Sequence, residues 1–168
     1  MIDIYYTYEK VNTDEFTKKI LARHYGIRNA NLQRTFNGKP YLPNGKIYFN
    51  LTHSKEITAL AVGKSEVGLD CESLDGKPRT VILKKLSERE QAQIHSLADF
   101  YTHWTARESF IKYLGESLAA CWRRVEILNG DVYFRGEKQA VKLLPFTVDN
   151  YTFCVCGNYT KYALHKIE

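Results

Sequence analysis

Two short stretches hold side chains that could do chemistry together: Val67-Gly68-Leu69-Asp70-Cys71-Glu72 and Trp104-Thr105-Ala106-Arg107-Glu108-Ser109-Phe110-Ile111-Lys112. Side chains two apart on a strand share a face, so Asp70 and Glu72 point together while Leu69 and Cys71 point into a core. Residues four apart on a helix are neighbours, which sets Glu108 beside Lys112. Three carboxylates and one ammonium brought together from two elements suit a divalent cation holding a phosphorylated ligand, because hard oxygens bind the metal and the amine meets the phosphate. The plainer readings are a solvated strand edge and a surface ion pair contributing about 0.3–0.5 kcal/mol. Against the first stands the apolar entry Val67-Gly68-Leu69, which leaves two like charges partly dehydrated, and these repel unless a cation or a proton relieves them.

Upstream, Asn50-Leu51-Thr52-His53-Ser54-Lys55 reads as a strand end leaving a hydroxyl, an imidazole and a second hydroxyl in succession. Such donors at a strand exit can wrap a phosphate, although a lone histidine there is more often structural or exposed. Lys39 in the turn Gly38-Lys39-Pro40 is a further cation, with a solvated lysine as its plainer reading. Arg107 falls within the apolar stripe Phe100, Trp104, Arg107, Ile111 and Leu114, where it either snorkels or pairs with an acid.

Positioning these residues requires particular elements. Alternation predicts a strand over 2–8, and Thr13-Asp14-Glu15 opens a helix to about Tyr25 that Gly26 caps. A short strand follows near 32–36, then turns at Gly38-Lys39-Pro40 and Pro43-Asn44-Gly45, and strands at 46–51, 57–63 and 66–72. From 78 to 118 the character is helical, with a capping box from Ser87 to Glu90 and a long helix over 98–114 stopped at Gly115. Strands return at 124–128, 131–135, 138–146, 151–157 and 161–167, with Asn129-Gly130 marking a hairpin. The order predicts an α+β fold with antiparallel sheets, a single domain over 1–168 with approximate halves 1–65 and 66–168.

The 168 residues suffice for a real core without staples. A net charge of +5 favours an anionic partner, but the basic residues are scattered rather than gathered in a polybasic arm, so nucleic acid is not expected. No apolar run has the length of a membrane span, and the N-terminus has an acid at Asp3 in place of a basic, then apolar, leader. Cys71, Cys121, Cys154 and Cys156 lack metal-type spacing and read as buried reduced thiols. The expected location is cytoplasmic.

Taken in order, Gly38-Lys39-Pro40, Phe49-Asn50-Leu51-Thr52-His53-Ser54, Val67 to Glu72, and Trp104 through Lys112 and Gly115 resemble the motifs of 4′-phosphopantetheinyl transferases. Each motif is weak alone; the order of all four over 38–118 makes them specific. The resemblance implies transfer of the phosphopantetheine arm of coenzyme A to a serine of an acidic acyl, peptidyl or aryl carrier protein, with release of 3′,5′-ADP and a need for Mg²⁺, Mn²⁺ being a substitute. It further implies that Asp70, Glu72 and Glu108 hold the metal directly or through water and that Lys112 contacts the pyrophosphate. Thr52 and His53 would bind ligand phosphates, and Lys39 with Pro40 would line the nucleotide pocket. Glu108 is the first choice of general base, with Glu72 second.

The position of the Asp70 motif, about seventy residues in, resembles the pseudodimeric Sfp type, in which one chain supplies two similar α+β halves and works as a monomer. Departures are a shortened N-terminal half, Thr52 where serine is usual, Arg107 where lysine is usual, and no arginine- and lysine-rich segment before Gly38, where Lys10, Lys18, Lys19 and Arg23 stand instead. Around residues 73–86 and the helix edge with Phe110 and Tyr113, the carrier would dock. The rival readings are a Mg²⁺-dependent phosphodiesterase or nuclease, and a non-catalytic coenzyme A-binding relative.

Overall fold

The computed structural model describes every residue except Asn44 and Pro78, so the expected turn at 43–45 and the start of the helical region at 78 lie partly outside the described residues. The chain is α+β, as expected. Strand β1 (Ile2–Thr7) leads into helix α1 (Thr13–Tyr25), which starts where the Asn12 side chain accepts the Asp14 and Glu15 N–H groups and ends at Gly26 with φ 72°. β2 (Gln33–Arg34) and β3 (Pro40–Tyr41) form a small hairpin, followed by β4 (Tyr48–Ser54) and β5 (Ile57–Gly63). Next come β6 (Val67–Ser73), the single turns α2 (Thr80–Leu83) and α3 (Glu88–Gln91), the long α4 (Leu97–Leu114) and α5 (Leu118–Cys121). The chain closes with β7 (Val125–Leu128), β8 (Asp131–Phe134), β9 (Glu137–Lys138), β10 (Lys142–Val148), β11 (Tyr151–Gly157) and β12 (Tyr162–Lys166).

Two sheets dominate, ordered β12-β1-β5-β4 and β10-β11-β6. Ile2, Ile4, Ala59 and Ala61 of the first meet Leu69, Cys71, Phe153 and Val155 of the second in one shared core. Phe16, Ile20 and Leu21 cover the far face of the first sheet against Leu60 and Val62, and Ala106, Phe110 and Ile111 cover the far face of the second against Cys154 and Cys156. The layers therefore run α1, sheet, sheet, α4. Each fully buried aliphatic side chain in them contributes about 1.5–3 kcal/mol. All four cysteines are free and buried.

Both sheets use one connectivity: a strand (β1 or β6), a helix (α1 or α4), then a hairpin (β4-β5 or β10-β11) whose second strand pairs with the first. Both pairings are antiparallel. The exception is β12, counted with 66–168 in the sequence reading, which returns to pair parallel with β1. The expected strand over 138–146 divides into β9 and β10, and the one expected over 46–51 starts later and runs on to Ser54.

Backbone pairing does not join the two sheets where β4 and β6 meet; side chains do. Asn50 Oδ1 accepts the Leu69 N–H at 2.8 Å, Thr52 Oγ1 accepts the Cys71 N–H at 3.2 Å, and Ser54 Oγ accepts the Ser73 N–H at 3.2 Å. Alternate residues of β4 thus act as a row of acceptors for the amides of β6. Those amides would otherwise be buried without partners.

Candidate active site

Helix α4 lies directly on β6 because Gly68 has no side chain: a Cβ there would sit 1.8 Å from the Ser109 carbonyl oxygen. This approach carries the acids of the strand to the charges of the helix. Asp70 is buried, and its Oδ1 accepts from Lys112 Nζ at 2.7 Å and from Thr52 Oγ1 at 3.3 Å. Lys112 also donates to the Leu69 carbonyl at 3.2 Å. Glu72 is held by Arg79 at 3.0 Å and accepts from Ser54 Oγ at 3.4 Å. Half-buried Glu108, one helical turn before Lys112, has no hydrogen-bond partner among the described residues.

The cluster is short of positive charge. Burial pushes the Asp70 carboxyl up against the pull of Lys112, and Glu72 adds to the rise. Burial, then Asp70, pushes Glu108 up to about 7. Burial alone would lower Lys112, but Asp70 and Glu108 outweigh it and hold the ammonium up. Asp70, Glu108 and Lys112 all favour an added proton, as expected where acids outnumber the cations beside them. Asp70 Oδ2 is buried and meets no partner among the described residues.

An all-carboxylate set with one orphaned buried oxygen and a charge deficit fits a hard divalent cation such as Mg²⁺. Among the described residues no three His, Cys, Asp or Glu side chains are gathered tightly enough to cage an ion as they stand. The reason is visible: Lys112 occupies one oxygen of Asp70 and Arg79 occupies Glu72.

The structure brings Asp70, Glu72, Glu108, Lys112 and Thr52 together. It does not bring His53 with them. Because β4 continues to Ser54, successive side chains alternate, so Thr52 faces the seam while His53 points to the opposite face, exposed, beside Tyr8, Lys10 and Lys55 on a separate cavity of about 520 Å³. The expected row of three donors at a strand exit is therefore split between two faces. Lys39 is mostly buried, pairs with Glu66, and donates to the Val67 carbonyl at 3.2 Å and to the Tyr113 carbonyl at 3.3 Å near the end of α4. With Pro40 it lines a cavity of about 390 Å³ that Tyr48, Phe49 and Glu66 also border.

Arg107 pairs with an acid. It reaches Glu90, whose carboxylate also accepts the Ile127 N–H at 3.0 Å and the Ser87 N–H at 3.2 Å, so the expected capping box is built into a buried ion pair. Phe110, expected on an exposed edge, is buried against Tyr113 and Phe134. Leu114 leaves the stripe at 37% exposure.

Two features escaped the sequence reading. Arg79 lies in a loop without periodicity, and only its side-chain contacts reveal it. A cavity of about 820 Å³ is lined by Lys84, Lys85, Trp104, Trp122, Arg123 and Arg124. The acids do not line it; Trp104, one helical turn before Glu108, is its link to them.

A family model for the 4′-phosphopantetheinyl transferase superfamily matches residues 66–156, more than half of the chain, from the residue before β6 to Cys156 in β11. The chain belongs to that superfamily. It is similar to the 4′-phosphopantetheinyl transferase gsp of Aneurinibacillus migulanus, 26% identical over 167 residues, which covers 90% of this chain and 70% of that protein. It is also similar to the 4′-phosphopantetheinyl transferase of Bacillus subtilis, 30% identical over 117 residues, covering 63% of this chain and 51% of the relative. The human L-aminoadipate-semialdehyde dehydrogenase-phosphopantetheinyl transferase is 30% identical over 142 residues, covering 68% of this chain and 46% of the relative. Against the last two, the chain spans about half the relative's length.

Proposed function

We propose that this chain transfers the 4′-phosphopantetheine arm of coenzyme A to a serine hydroxyl of an apo-carrier protein and releases 3′,5′-ADP. The observation that carries this reading is that the matched region contains a buried strand acid, a helix acid and a helix lysine gathered into one charge-deficient cluster. A phosphodiesterase or nuclease reading lacks any such family support.

In this mechanism Asp70 and Glu72 would hold Mg²⁺, with Glu108 beside them. The ion, when bound, neutralises charge on the pyrophosphate. Lys112, fixed by Asp70 and the Leu69 carbonyl, aims its ammonium at the same phosphates. Glu108 takes the serine proton: it sits on the rigid helix beside Asp70 and Lys112 and has no competing hydrogen bond among the described residues. Thr52 keeps Asp70 oriented and contacts phosphate from the cluster side, and His53 with Lys10 and Lys55 contacts phosphate from the other face of β4. Lys39 and Pro40 border the nucleotide pocket.

The matching connectivity of the two sheets supports a pseudodimer of two halves acting as a monomer. No helix among the described residues is long and apolar enough to cross a membrane, which is compatible with the proposed cytoplasmic location. The lysines and arginines that line the 820 Å³ cavity with Trp104 and Trp122 suit an acidic carrier.

The test is incubation with coenzyme A, Mg²⁺ and a panel of apo-carriers, followed by intact-protein mass spectrometry. Addition of the phosphopantetheine arm to the carrier serine, with 3′,5′-ADP released, is the expected result. If no carrier is modified and coenzyme A does not bind, the proposal fails.

A further inference from the structure

The guanidinium of Arg79 is placed in two environments at once. One nitrogen lies 3.0 Å from Glu72 Oε1, and its central carbon lies 5.1 Å from the Trp104 ring centre and 5.9 Å from that of Tyr101. Both rings belong to α4 and are buried, so the aromatic contact is fixed by the core. The carboxylate contact is not: Glu72 is a strand-edge side chain whose other hydrogen bond among the described residues comes from the Ser54 hydroxyl at 3.4 Å. Arg79 is thus anchored on its aromatic side and exchangeable on its acidic side, since a cation–π contact holds a guanidinium without a partner charge.

We infer that Arg79 is an internal competitor for the divalent cation: it neutralises Glu72 when the cluster holds no metal and must release it when one binds. This rests on the reading of Asp70 and Glu72 as metal-holding residues. The charge count explains the need. Asp70, Glu72 and Glu108 face Lys112 and Arg79, leaving about one negative charge in excess; a divalent ion reverses that sign, after which the guanidinium is surplus at Glu72. Trp104 then holds it at the mouth of the cluster, beside the cationic groove that the same ring lines. Arg79 is a positioning residue in this scheme; it touches neither the reacting serine nor the metal.

Competition has a sign that a merely supportive contact lacks. If Arg79 only braced Glu72 for the metal, its removal would weaken metal binding; if it competes, removal strengthens binding. The experiment is isothermal titration of Mn²⁺ and Mg²⁺ into the protein alone, without coenzyme A or carrier, comparing wild type with Arg79→Met, Arg79→Lys and Lys18→Met. The last removes one charge from the exposed face of α1 and so measures the general effect of net charge. Arg79→Met is expected to bind both ions about 3- to 10-fold more tightly and to melt at a lower temperature than wild type only while metal-free. Arg79→Lys should fall between the two, and Lys18→Met should change affinity less than 2-fold.

Unchanged or weaker binding by Arg79→Met overturns the inference, as does a Lys18→Met effect of equal size. Wild-type protein that binds neither ion overturns it too. The transfer assay is independent of these readouts, so arm transfer by wild type alongside an unaltered metal affinity in Arg79→Met would remove the competitor and leave the proposed reaction standing.

Discussion

Helix α4 carries one arginine and one lysine, each set against a buried acid, and the two pairs are built differently. Arg107 meets Glu90, which also accepts from two backbone amides and a serine hydroxyl; among the described residues no carboxylate oxygen of Glu90 is left over. Lys112 meets Asp70, whose second oxygen is buried and unpartnered. The Glu90–Arg107 pair is closed on every side, with side chains 1% and 3% exposed, whereas Lys112 is 30% exposed. A saturated buried pair locks elements together: it ties α3, α4 and β7. An unsaturated one that reaches solvent keeps coordinating capacity for something else.

The largest expected effect is on catalysis, at the open pair. Asp70→Ala should reduce arm transfer by about 10³-fold or more, roughly 4 kcal/mol of transition-state stabilisation, because it removes the centre of the proposed metal site. The fold should survive, since the ammonium left behind is partly solvated. Parallel measurement of transfer rate and denaturant midpoint checks both halves; normal turnover would remove the metal assignment. The closed pair should behave in the opposite sense. Glu90→Ala strands a buried guanidinium and should cost about 3–5 kcal/mol of stability, read from urea unfolding. If Glu90→Ala proved as stable as wild type, the distinction between the pairs would collapse.

Between them lies the spacing that brings helix and strand together. Gly68→Ala places a methyl where the Ser109 carbonyl sits, so α4 must move off β6. Overpacking of this kind costs about 1–3 kcal/mol. The loss in transfer should exceed that predicted from stability alone, because Glu108 and Lys112 move with the helix while Asp70 and Glu72 do not. A stability loss with unchanged turnover of the folded fraction would show that the site tolerates the displacement.

Much of this was legible in the residues. Thr13-Asp14-Glu15 and Gly26 around α1, the Ser87–Glu90 capping box, the Asn129-Gly130 hairpin and the strands at 57–63 and 151–157 carry their signals locally, in caps, turns and alternation. Asp70, Glu72, Glu108 and Lys112 were legible because two regular spacings each put a pair on one face. The return of β12 to β1 was not, since pairing partners have no local signature. Nor was the separation of Thr52 from His53: it follows from three more residues of strand, and a strand end is weakly marked. Arg107 could be placed in the stripe but its partner could not be named, because Glu90 lies on a short helix whose docking depends on tertiary contacts.

The smallest effect discriminates most finely, because it separates an acid awaiting a cation from one that is merely buried. Glu108 keeps its proton up to about 7 in the folded protein against an ordinary 4.5, so the folded state binds more protons than the unfolded chain between those values. Stability of the metal-free protein therefore falls as pH rises from about 4.5 to 7 on this group's account, by up to about 3 kcal/mol and nearer 1–2 after solvent screening. Glu108→Gln removes the charge without the volume and should flatten that fall, leaving the variant more stable than wild type at pH 8 in a chelator. Adding Mg²⁺ should close the gap by stabilising wild type, because the cation relieves the repulsion from Asp70 that protonation relieves at lower pH. Urea midpoints at pH 5 and pH 8, with and without Mg²⁺, read all four corners; a wild-type protein whose pH dependence survives in Glu108→Gln would place the titration elsewhere and return Glu108 to the company of ordinary surface acids.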